Sequence, residues 1–405
     1  MKIVPFKAVR PANDKVGLVT CRVYDDYSPA ELAAWLEFNP FSFLHIIHPA
    51  YVNAQKVANE KRFKMVNHKY NDFKTENILV QEEKAVFYIY EIETKENNFS
   101  GIIAGASVEE YQNNTIKKHE DTLRYRVELF TDYLHQTGFN TEPVLLTYPD
   151  CVELSTWMNL RKKTEPIFQF STPDKTKHTL WKIDTFNEIE WLQNHFETIP
   201  NLYIADGHHR SASAALLYEK YKELGNENLP YFMSFLIAES NLKIYEFHRM
   251  ITDLNTLTDD DFLDKLTINF ELINKGHEWY KPQKKGEFGL YFKQNFYQLV
   301  FKNSSNLQNS VLDLLDAKIL YDYILKPILG IEDLRNDDRI EYVSGKQPLT
   351  NVVELVDNED FALAFLLYPS NITEIKQIAD DQLIMPPKST YIEPKFRSGL
   401  VVYEL

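Results

Sequence analysis

Apolar and polar residues repeat with two different periods along the chain, and together they predict a mixture of strands and helices. Alternating or continuous apolar runs predict strands at 3–9, 41–47, 84–92, 100–108, 142–148, 168–185 and 202–205, and hairpins at 231–238/242–247 and 287–292/295–301. Helical spacing predicts helices at 29–38, 51–69, 122–136, 187–195, 211–224, 259–270 and 319–325. Because strands and helices do not alternate strictly, the pattern predicts an α/β chain with α+β mixed sheets rather than a doubly wound fold.

Two helix ends carry specific signals. Ser28 is placed to cap the helix at 29–38, with Pro29 in its first position and Glu31 three residues after the cap, which is the arrangement of a capping box. Gly138 follows the helix at 122–136, where glycine commonly ends a helix. Both helices are therefore expected to keep these limits.

A chain of 405 residues is too long for one ordinary core. We expect three regions: an N-terminal α/β region at 1–150, a central region at 151–260, and a C-terminal α/β region at 261–405 that packs back on the functional site.

The formal net charge of −15 argues against nucleic acid and anionic membranes as partners. An anionic small-molecule substrate would then need a locally basic pocket. The two cysteines, Cys21 and Cys151, match neither a zinc motif nor a redox pair; a disulfide between them stays open, but a reducing compartment fits better. There is no signal peptide and no run of eighteen apolar residues, so we expect a cytoplasmic protein.

The most informative segment is the turn at 206–211. A short apolar run ends at Asp206-Gly207, and His208, His209 and Arg210 then lead into a helix that includes Ser211. A helix start offers unpaired backbone N–H groups and a partial positive charge, which bind phosphate. Glycine permits a close approach of the backbone, and an arginine adds a bidentate fork.

A structural interpretation of this turn is also open. Asp206 would then be an ordinary N-cap, and His208, His209 and Arg210 would form a solvated first turn. However, three cationic residues oppose the helix dipole unless an anion is present. We therefore favour anion binding.

Four other segments could contribute to the chemistry. His119-Glu120-Asp121-Thr122 precedes a helix, so its acids either cap that helix or supply a catalytic or magnesium-associated carboxylate. His248-Arg249 closes a strand, facing either a cleft or surface ion pairs. Lys388-Ser389-Thr390 lies in a proline-rigid turn that could meet a phosphate or be purely structural. Tyr24-Asp25 lies in an acidic turn that a solvated loop would also explain.

Several common sites are excluded by spacing. His208 and His209 are adjacent, so their side chains diverge by about 100° on a helix and cannot easily chelate one ion. The chain also lacks the zinc-protease helix motif, the phosphate loop, the dinucleotide fingerprint and the nucleophile elbow. We therefore expect no metal held directly by His or Cys.

With these motifs in view, the chain resembles the domain-of-unknown-function 1015 family over nearly its whole length. The resemblance rests on motifs in the same order: Pro5-Phe6-Lys7-Ala8-Val9-Arg10, Tyr24-Asp25, Asn39-Pro40, His119-Glu120-x-Thr122, Ala205-Asp206-Gly207-His208-His209-Arg210, His248-Arg249, Leu329-Gly330-Ile331, Met385-Pro386-Pro387-Lys388-Ser389-Thr390-Tyr391, Pro394-Lys395 and Ser398-Gly399-Leu400. One departure is Arg22-Val23-Tyr24-Asp25-Asp26, where the family usually has Pro-Pro-Tyr-Asp-Val.

The turn at 206–210 also looks like the phosphate-binding turn of the ParB/sulfiredoxin superfamily. This resemblance implies a ParB/sulfiredoxin-like core at 151–260, with the other regions as α/β elaborations. His208 stands where sulfiredoxins have their reactive cysteine, so that chemistry is excluded. Because the superfamily includes free-serine kinases, the resemblance implies a small-molecule kinase with L-serine as the best acceptor and ATP, ADP or pyrophosphate as donor.

The kinase hypothesis gives each residue a role. Asp206 or Glu120 would be the general base, the other holding Mg²⁺ through water, and His208 is a third catalytic candidate. The residues assigned to phosphate or substrate binding are Gly207, His209, Arg210, Ser211, His248, Arg249, Lys388, Ser389, Thr390, Tyr24, Asp25, His119 and Thr122.

Two other functions remain open. A nucleotide-binding switch of ParB type would bind nucleotide with slow hydrolysis and change its oligomeric state. A phosphatase would use the same anion pocket, with His208 as nucleophile or general acid.

Overall fold

The computed structural model describes residues 1–23, 26–49, 58–302 and 310–405. The chain forms two compact units. Unit 1 comprises Met1–Lys118, Thr122–Leu242 and Pro394–Leu405, and unit 2 comprises His119–Asp121 and Lys243–Glu393. The expected division at 150 and 260 stays a prediction.

Unit 1 is built on a large mixed sheet and two small ones. The strands of unit 1 are β1 (Ile3–Val4), β2 (Val9–Pro11), β3 (Leu79–Gln81), β4 (Phe87–Glu93), β5 (Asn98–Ser107), β6 (Ile116–Lys117), β7 (Phe139–Asn140), β8 (Val144–Tyr148), β9 (Phe168–Ser171), β10 (Lys177–Ile183), β11 (Leu202–Asp206), β12 (Tyr231–Ala238) and β21 (Tyr403–Glu404). The small sheets are β2–β3 and β7–β21. The main sheet has the order β6-β11-β8-β12-β5-β4-β10-β9, with β1 also on β5. The pairs β11–β6 and β12–β8 are parallel, and the other neighbours are antiparallel.

The helices of unit 1 cover this sheet and build a second apolar core. They are α1 (Val16–Val19), α2 (Pro29–Phe38), α3 (Leu44–Ile47), α4 (Asn59–Thr75), α5 (Val108–Gln112), α6 (Arg124–Thr137), α7 (Val152–Arg161), α8 (Phe186–Glu197) and α9 (His208–Tyr221). One core contains Leu146, Ile204 and Ala214, so it joins the sheet to α9. The other contains Leu36, Phe43 and Phe73 from α2, the α3 start and α4.

Unit 2 has its own antiparallel sheet. Its strands are β13 (Lys243–Tyr245), β14 (Phe247–Ile251), β15 (Phe270–Gly276), β16 (Glu287–Phe292), β17 (Asn295–Phe301), β18 (Ile340–Ser344), β19 (Leu363–Leu366) and β20 (Tyr391–Glu393). Six of them have the order β15-β17-β16-β19-β14-β18, while β13 pairs with β20. The helices are α10 (Asp259–Asn269), α11 (Asp316–Leu320), continued by a π-helical turn at Tyr321–Leu325, α12 (Leu349–Asp357) and α13 (Ile372–Asp380).

The mixed α/β fold class predicted from the pattern is confirmed by these sheets and helices. The capping box of α2 is present: Glu31 N–H donates to Ser28 Oγ at 3.3 Å, and Ser28 N–H donates to a Glu31 carboxylate oxygen at 2.9 Å. Gly138 ends α6, as predicted. The hairpin of β16 and β17 is also confirmed.

Two predicted elements are wrong. Residues 41–47 were expected to form a strand, but Leu44–Ile47 is a short helix, because a continuous apolar run does not separate a buried helix from a buried strand. The predicted hairpin of 231–238 with 242–247 is absent, since Glu239–Asn241 forms a 3₁₀ turn and β13 pairs with β20 instead. Part of the helix predicted at 51–69 lies outside the described residues, and α4 begins at Asn59.

Both cysteines are free thiols. Burial raises the pKa of the Cys21 thiol to about 12. Cys151 is partly exposed, and its Sγ lies 3.0 Å from His195 Nε2. In the described ranges, no helix has both the length and the apolar character that a membrane span requires.

Candidate functional site

The strand, turn and helix predicted around residue 207 are present in unit 1. Strand β11 ends at Asp206, and α9 begins at His208, three residues earlier than the spacing suggested. Gly207 occupies the N-cap position with φ of +100°, a left-handed conformation that side chains other than glycine rarely adopt. Because Gly207 is a glycine, the N-cap residue itself has no side chain to cap α9. Asp206 is therefore not the N-cap that the structural interpretation required.

Arg210 folds back across Gly207 and holds three acceptors. Its Nη2 donates to Asp206 Oδ2 at 2.8 Å, and its Nη1 donates to the carbonyl of Pro143 at 2.9 Å and to Glu142 Oε2 at 3.4 Å. The side chain is only 23% exposed, so Arg210 does not extend into solvent. The guanidinium braces the turn in this arrangement, and an incoming phosphate would compete with these acceptors.

Asp206 lies between two cations. Its Oδ1 is 3.5 Å from Lys395 Nζ, while its Oδ2 accepts from Arg210. Burial by itself would raise the pKa of the carboxyl, but Arg210 and Lys395 outweigh it and lower the pKa below its ordinary value. Asp206 is therefore ionised at neutral pH, and both of its oxygens are held in ion pairs.

The two histidines of the turn are both uncharged. His208 is 4% exposed, and burial lowers its pKa to about 3 despite the nearby Asp206. His209 accepts a hydrogen bond at Nε2 from the Leu123 N–H at 3.1 Å, which places its proton on Nδ1. The cationic first turn expected from the sequence is therefore reduced to Arg210 alone, and a solvated turn is contradicted by the burial of His208.

The hydroxyl of Ser211, near the turn, forms its hydrogen bond within α9. Ser211 is buried, and its Oγ donates to the carbonyl of His208 at 3.0 Å, while its N–H donates to the carbonyl of Gly207. The N–H groups of the first helical residues precede the first intrahelical hydrogen bond, as at any helix start. Ser211 therefore supports the helix, and its predicted role in ligand binding stays a prediction.

Two residues of this site were missed from the sequence, Glu142 and Lys395. Strand β8 runs antiparallel to β11, so the residues just before β8 lie beside the end of β11. Glu142 Oε1 accepts from Ser398 Oγ at 2.8 Å, which ties the C-terminal segment of unit 1 to the turn. The motifs Pro394-Lys395 and Ser398-Gly399-Leu400 were the available signal, although nothing local placed them near residue 206.

A cavity of about 290 Å³ adjoins Arg210 within unit 1. Its walls are mostly apolar and aromatic, with polar groups near Arg210; the lining residues are Val23, Ile47, Arg62, Phe63, Leu129, Phe130, Tyr133, Leu134, Asn140, Thr141, Glu142, Arg210 and Ser213. This size falls near the lower end of small-molecule pockets.

The remaining predicted residues are distributed over both units. Thr122 belongs to unit 1, whereas His119, Glu120, His248, Arg249, Lys388, Ser389 and Thr390 belong to unit 2. Helix α6 has Leu123 at its N-cap position, so neither Glu120 nor Asp121 fills that position. Tyr24 and Asp25 lie outside the described residues.

His248 and Arg249 lie on opposite faces of the unit 2 sheet. Side chains alternate along a strand, so Arg249 shares a face with Ile251 and His248 shares the other with Met250. Ile251 and Met250 indeed belong to different apolar clusters. The two side chains therefore do not share a face, and their predicted role in ligand binding stays a prediction.

The ion pairs of Asp206 predict a pH-dependent stability difference. Because its folded pKa lies below the ordinary value of 3.8, Asp206 contributes stability above that pH and loses it as the pH falls through the folded pKa. The Asp206→Asn variant should therefore unfold in less urea than the wild type at pH 7, and the gap should narrow as the pH falls below 3.8. Urea titrations at several pH values test this expectation.

Asp14→Asn is the matched control, because Asp14 pairs with Lys15 at an exposed position. Its urea midpoint should stay near that of the wild type at pH 7. A gap for Asp206→Asn that persists unchanged at pH 3 would contradict the ion-pair explanation.

Comparison with known proteins identifies a family and several distant structures. A free serine kinase in complex with AMP is 14% identical over 76% of this chain and 94% of that chain, with a TM-score of 0.35. A conserved hypothetical protein from Pyrococcus furiosus is 13% identical over 75% and 94%, with a TM-score of 0.37. SbnI with a C-terminal truncation, from Staphylococcus aureus, is 12% identical over 74% and 85%, with a TM-score of 0.38.

No curated protein matches the chain. The family described as "Protein of unknown function (DUF1015)" matches residues 3–318. Since this match takes in well over half of the 405 residues, the chain belongs to the DUF1015 family.

Proposed function

We propose that this protein transfers a phosphoryl group from a nucleotide or pyrophosphate to a free hydroxyl amino acid, with L-serine as the acceptor. The observation that carries the proposal is the start of α9, where Gly207 takes the N-cap position in a left-handed conformation and Arg210 and Lys395 lie on either side of Asp206. The choice of L-serine as the acceptor rests on the motif at 205–210, which resembles the turn of free-serine kinases.

A polyphosphate fits this place on electrostatic grounds. The charges of Arg210 and Lys395 are balanced by Asp206 and Glu142, so the remaining positive potential comes from the N–H groups of α9. A phosphate accepting those N–H groups would attract the two cations away from their carboxylates.

In the proposed mechanism, Asp206 is a positioning residue. A general base needs a carboxylate that can approach the hydroxyl and accept its proton. Both Asp206 oxygens are held by cations, and these cations lower its pKa, which weakens it as a base. Asp206 instead orients Arg210 and Lys395, which neutralise charge that develops on the transferred phosphoryl group, and Glu120 stays the predicted general base that accepts the serine hydroxyl proton.

The arrangement disfavours direct ligation of Mg²⁺ by Asp206, whereas the prediction places water between the ion and Asp206 or Glu120. A direct ligand role would require the ion to displace Arg210 and Lys395 from the two carboxylate oxygens. Mg²⁺ therefore stays a prediction, and no step is assigned to it. The burial of His208 likewise disfavours the phosphatase alternative, since a phosphohistidine needs an accessible imidazole.

The test is a transfer assay on the purified full-length protein. L-serine is incubated separately with ATP, ADP and pyrophosphate, and O-phosphoserine is detected by mass spectrometry. We expect phosphoserine from at least one donor, and loss of it in the Asp206→Asn variant. Lys220→Ala is the control, because Lys220 is an exposed residue in the last turn of the same helix.

Absence of phosphoserine with all three donors, in folded protein, would refute the proposed activity. Calorimetry with the same nucleotides separates the remaining alternative. Nucleotide binding without serine-dependent turnover would favour a ParB-type switch.

A further inference from the structure

We propose that unit 2 holds an anion site of its own, in which Arg249 and Lys388 bind the carboxylate or phosphate group of a small molecule. The site comprises Arg249, Lys388, Phe247, Tyr342 and Tyr391, and we call it the Arg249 cluster. It lies on one face of the sheet, at strand β14, and it does not depend on the activity proposed above.

Arg249 is the most unusual charged residue in the described part of the chain. Its side chain is only 2% exposed, and it is the largest side chain among those fully buried. Strands β19 and β18 flank it, with Phe365 and Tyr342 as its direct neighbours. Removing a guanidinium from water is unfavourable unless an opposite charge compensates it.

The contacts of Arg249 do not supply that opposite charge. Its Nη1 donates to the carbonyl of Phe247, its Nη2 donates to the carbonyl of Lys388 at 3.2 Å, and its Cζ lies 5.4 Å from the centre of the Tyr342 ring. Within the described residues, no carboxylate forms an ion pair with it. Although burial lowers the pKa of the guanidinium to about 10, Arg249 remains protonated at neutral pH.

Lys388 is a second cation that lies beside Phe247, the residue whose carbonyl accepts from Arg249. Its Nζ lies 5.3 Å from the centre of the Phe247 ring, and its φ of +53° is unusual for a lysine. The described residues supply no ion pair for Lys388 either. Ser389 holds the turn in place by donating its hydroxyl to the carbonyl of Pro386 at 2.6 Å, so the strained position of Lys388 is maintained.

The aromatic rings give the cluster a defined wall. Phe247 packs edge-on against Tyr342 and Tyr391, with ring centres 6.4 Å and 5.9 Å apart. Lys388 is exposed, so the cluster reaches the surface through this residue. A buried guanidinium, an exposed lysine and an apolar wall are features that recognise an oxyanion attached to a small organic group.

A bracing role for Arg249 is the alternative that the test must separate. If Arg249 only holds the turn through the Lys388 carbonyl, its substitution changes stability and leaves anion binding unchanged. If it binds an anion, phosphate or acetate should bind the protein, and conservative substitutions should weaken that binding.

The test is isothermal titration calorimetry with inorganic phosphate and, separately, with acetate at constant ionic strength. It uses the full-length Arg210→Ala protein, so that the start of α9 contributes little. Adding Arg249→Lys should weaken binding about tenfold, because lysine keeps the charge but loses the fork. Adding Lys388→Gln should weaken it several-fold, while Lys220→Ala should leave it unchanged.

The two ligands identify the chemical class. Binding of phosphate alone assigns a phosphorylated ligand, and binding of acetate alone assigns a carboxylate. The proposal would be overturned if neither anion bound, or if adding Arg249→Lys or Lys388→Gln left the affinity of the Arg210→Ala protein unchanged. If Arg249→Lys does not fold, the Lys388→Gln titration still tests the site, because Lys388 is exposed. A negative phosphoserine assay does not change the interpretation of these titrations.

Discussion

Replacing Gly207 with alanine is expected to abolish most phosphoserine formation and to destabilise unit 1. A Cβ at this position would lie 2.9 Å from Arg210 Nε and 3.2 Å from Arg210 Cζ, and the φ of +100° would strain any side chain. The strain should lower the free energy of unfolding by about 2–3 kcal/mol. Because Arg210 must move away, its contacts to Asp206 and Pro143 should break, and turnover should fall about 100-fold.

Gly225→Ala is the control for backbone strain alone. Gly225 also has a left-handed φ, of +70°, but nothing lies within 4 Å of its added Cβ. We expect a loss of about 1 kcal/mol in urea unfolding and unchanged turnover. Equal turnover in the two alanine variants would show that the contact with Arg210 does not matter.

Replacing Arg210 with alanine should have the second large effect. Among the described residues, Asp206 would keep its ion pair with Lys395 alone, and the carbonyl of Pro143 would lose the Arg210 donor. The loss of these charged hydrogen bonds should lower stability by about 1–3 kcal/mol. Loss of a group that stabilises charge in the transition state should reduce kcat by about 10²- to 10³-fold, with a smaller effect on KM.

Arg210→Lys refines this expectation, since lysine retains the positive charge without the planar fork. Its kcat should fall between those of the wild type and Arg210→Ala, with Lys220→Ala as the unaffected control. Steady-state kinetics with serine as the varied substrate provide the measurement. If Arg210→Ala raises KM alone and leaves kcat intact, Arg210 contributes to ground-state binding and the assigned role is wrong.

The turn at residue 207 could be predicted because its signals are local. An apolar run, a glycine and a helical pattern follow one another within a few residues, and the glycine separates the short run from the helix that follows it. The start of α9 was placed three residues late, because the pattern could not show that Gly207 itself occupies the N-cap position in a left-handed conformation.

The partners of the turn could not be predicted, because they come from distant parts of the chain. Glu142 lies 68 residues from Arg210, and Lys395 lies near the C-terminus. Their proximity follows from the antiparallel pairing of β8 with β11 and from the return of the last residues to unit 1. Long-range pairing of this kind leaves no periodic mark in a single sequence.

For His248 and Arg249, in contrast, part of the structural outcome could be predicted from local sequence. Their adjacency suggested a shared role, although the twofold period of a strand places neighbouring side chains on different faces. That period, applied to the predicted strand, is enough to assign the two side chains to opposite faces of the sheet. The burial of Arg249 could not be predicted from the sequence, because it depends on both neighbouring strands, β18 and β19.

The return of residues 394–405 to unit 1 has a consequence for biosynthesis. Val9 and Val402 exchange backbone hydrogen bonds of 3.0 and 2.7 Å, Tyr403 donates its hydroxyl to the carbonyl of Asn228, and Lys395 reaches Asp206. During translation these partners emerge from the ribosome long before the segment that completes them. The nascent chain should therefore stay inactive, and exposed to chaperones, until residues 394–405 have left the exit tunnel.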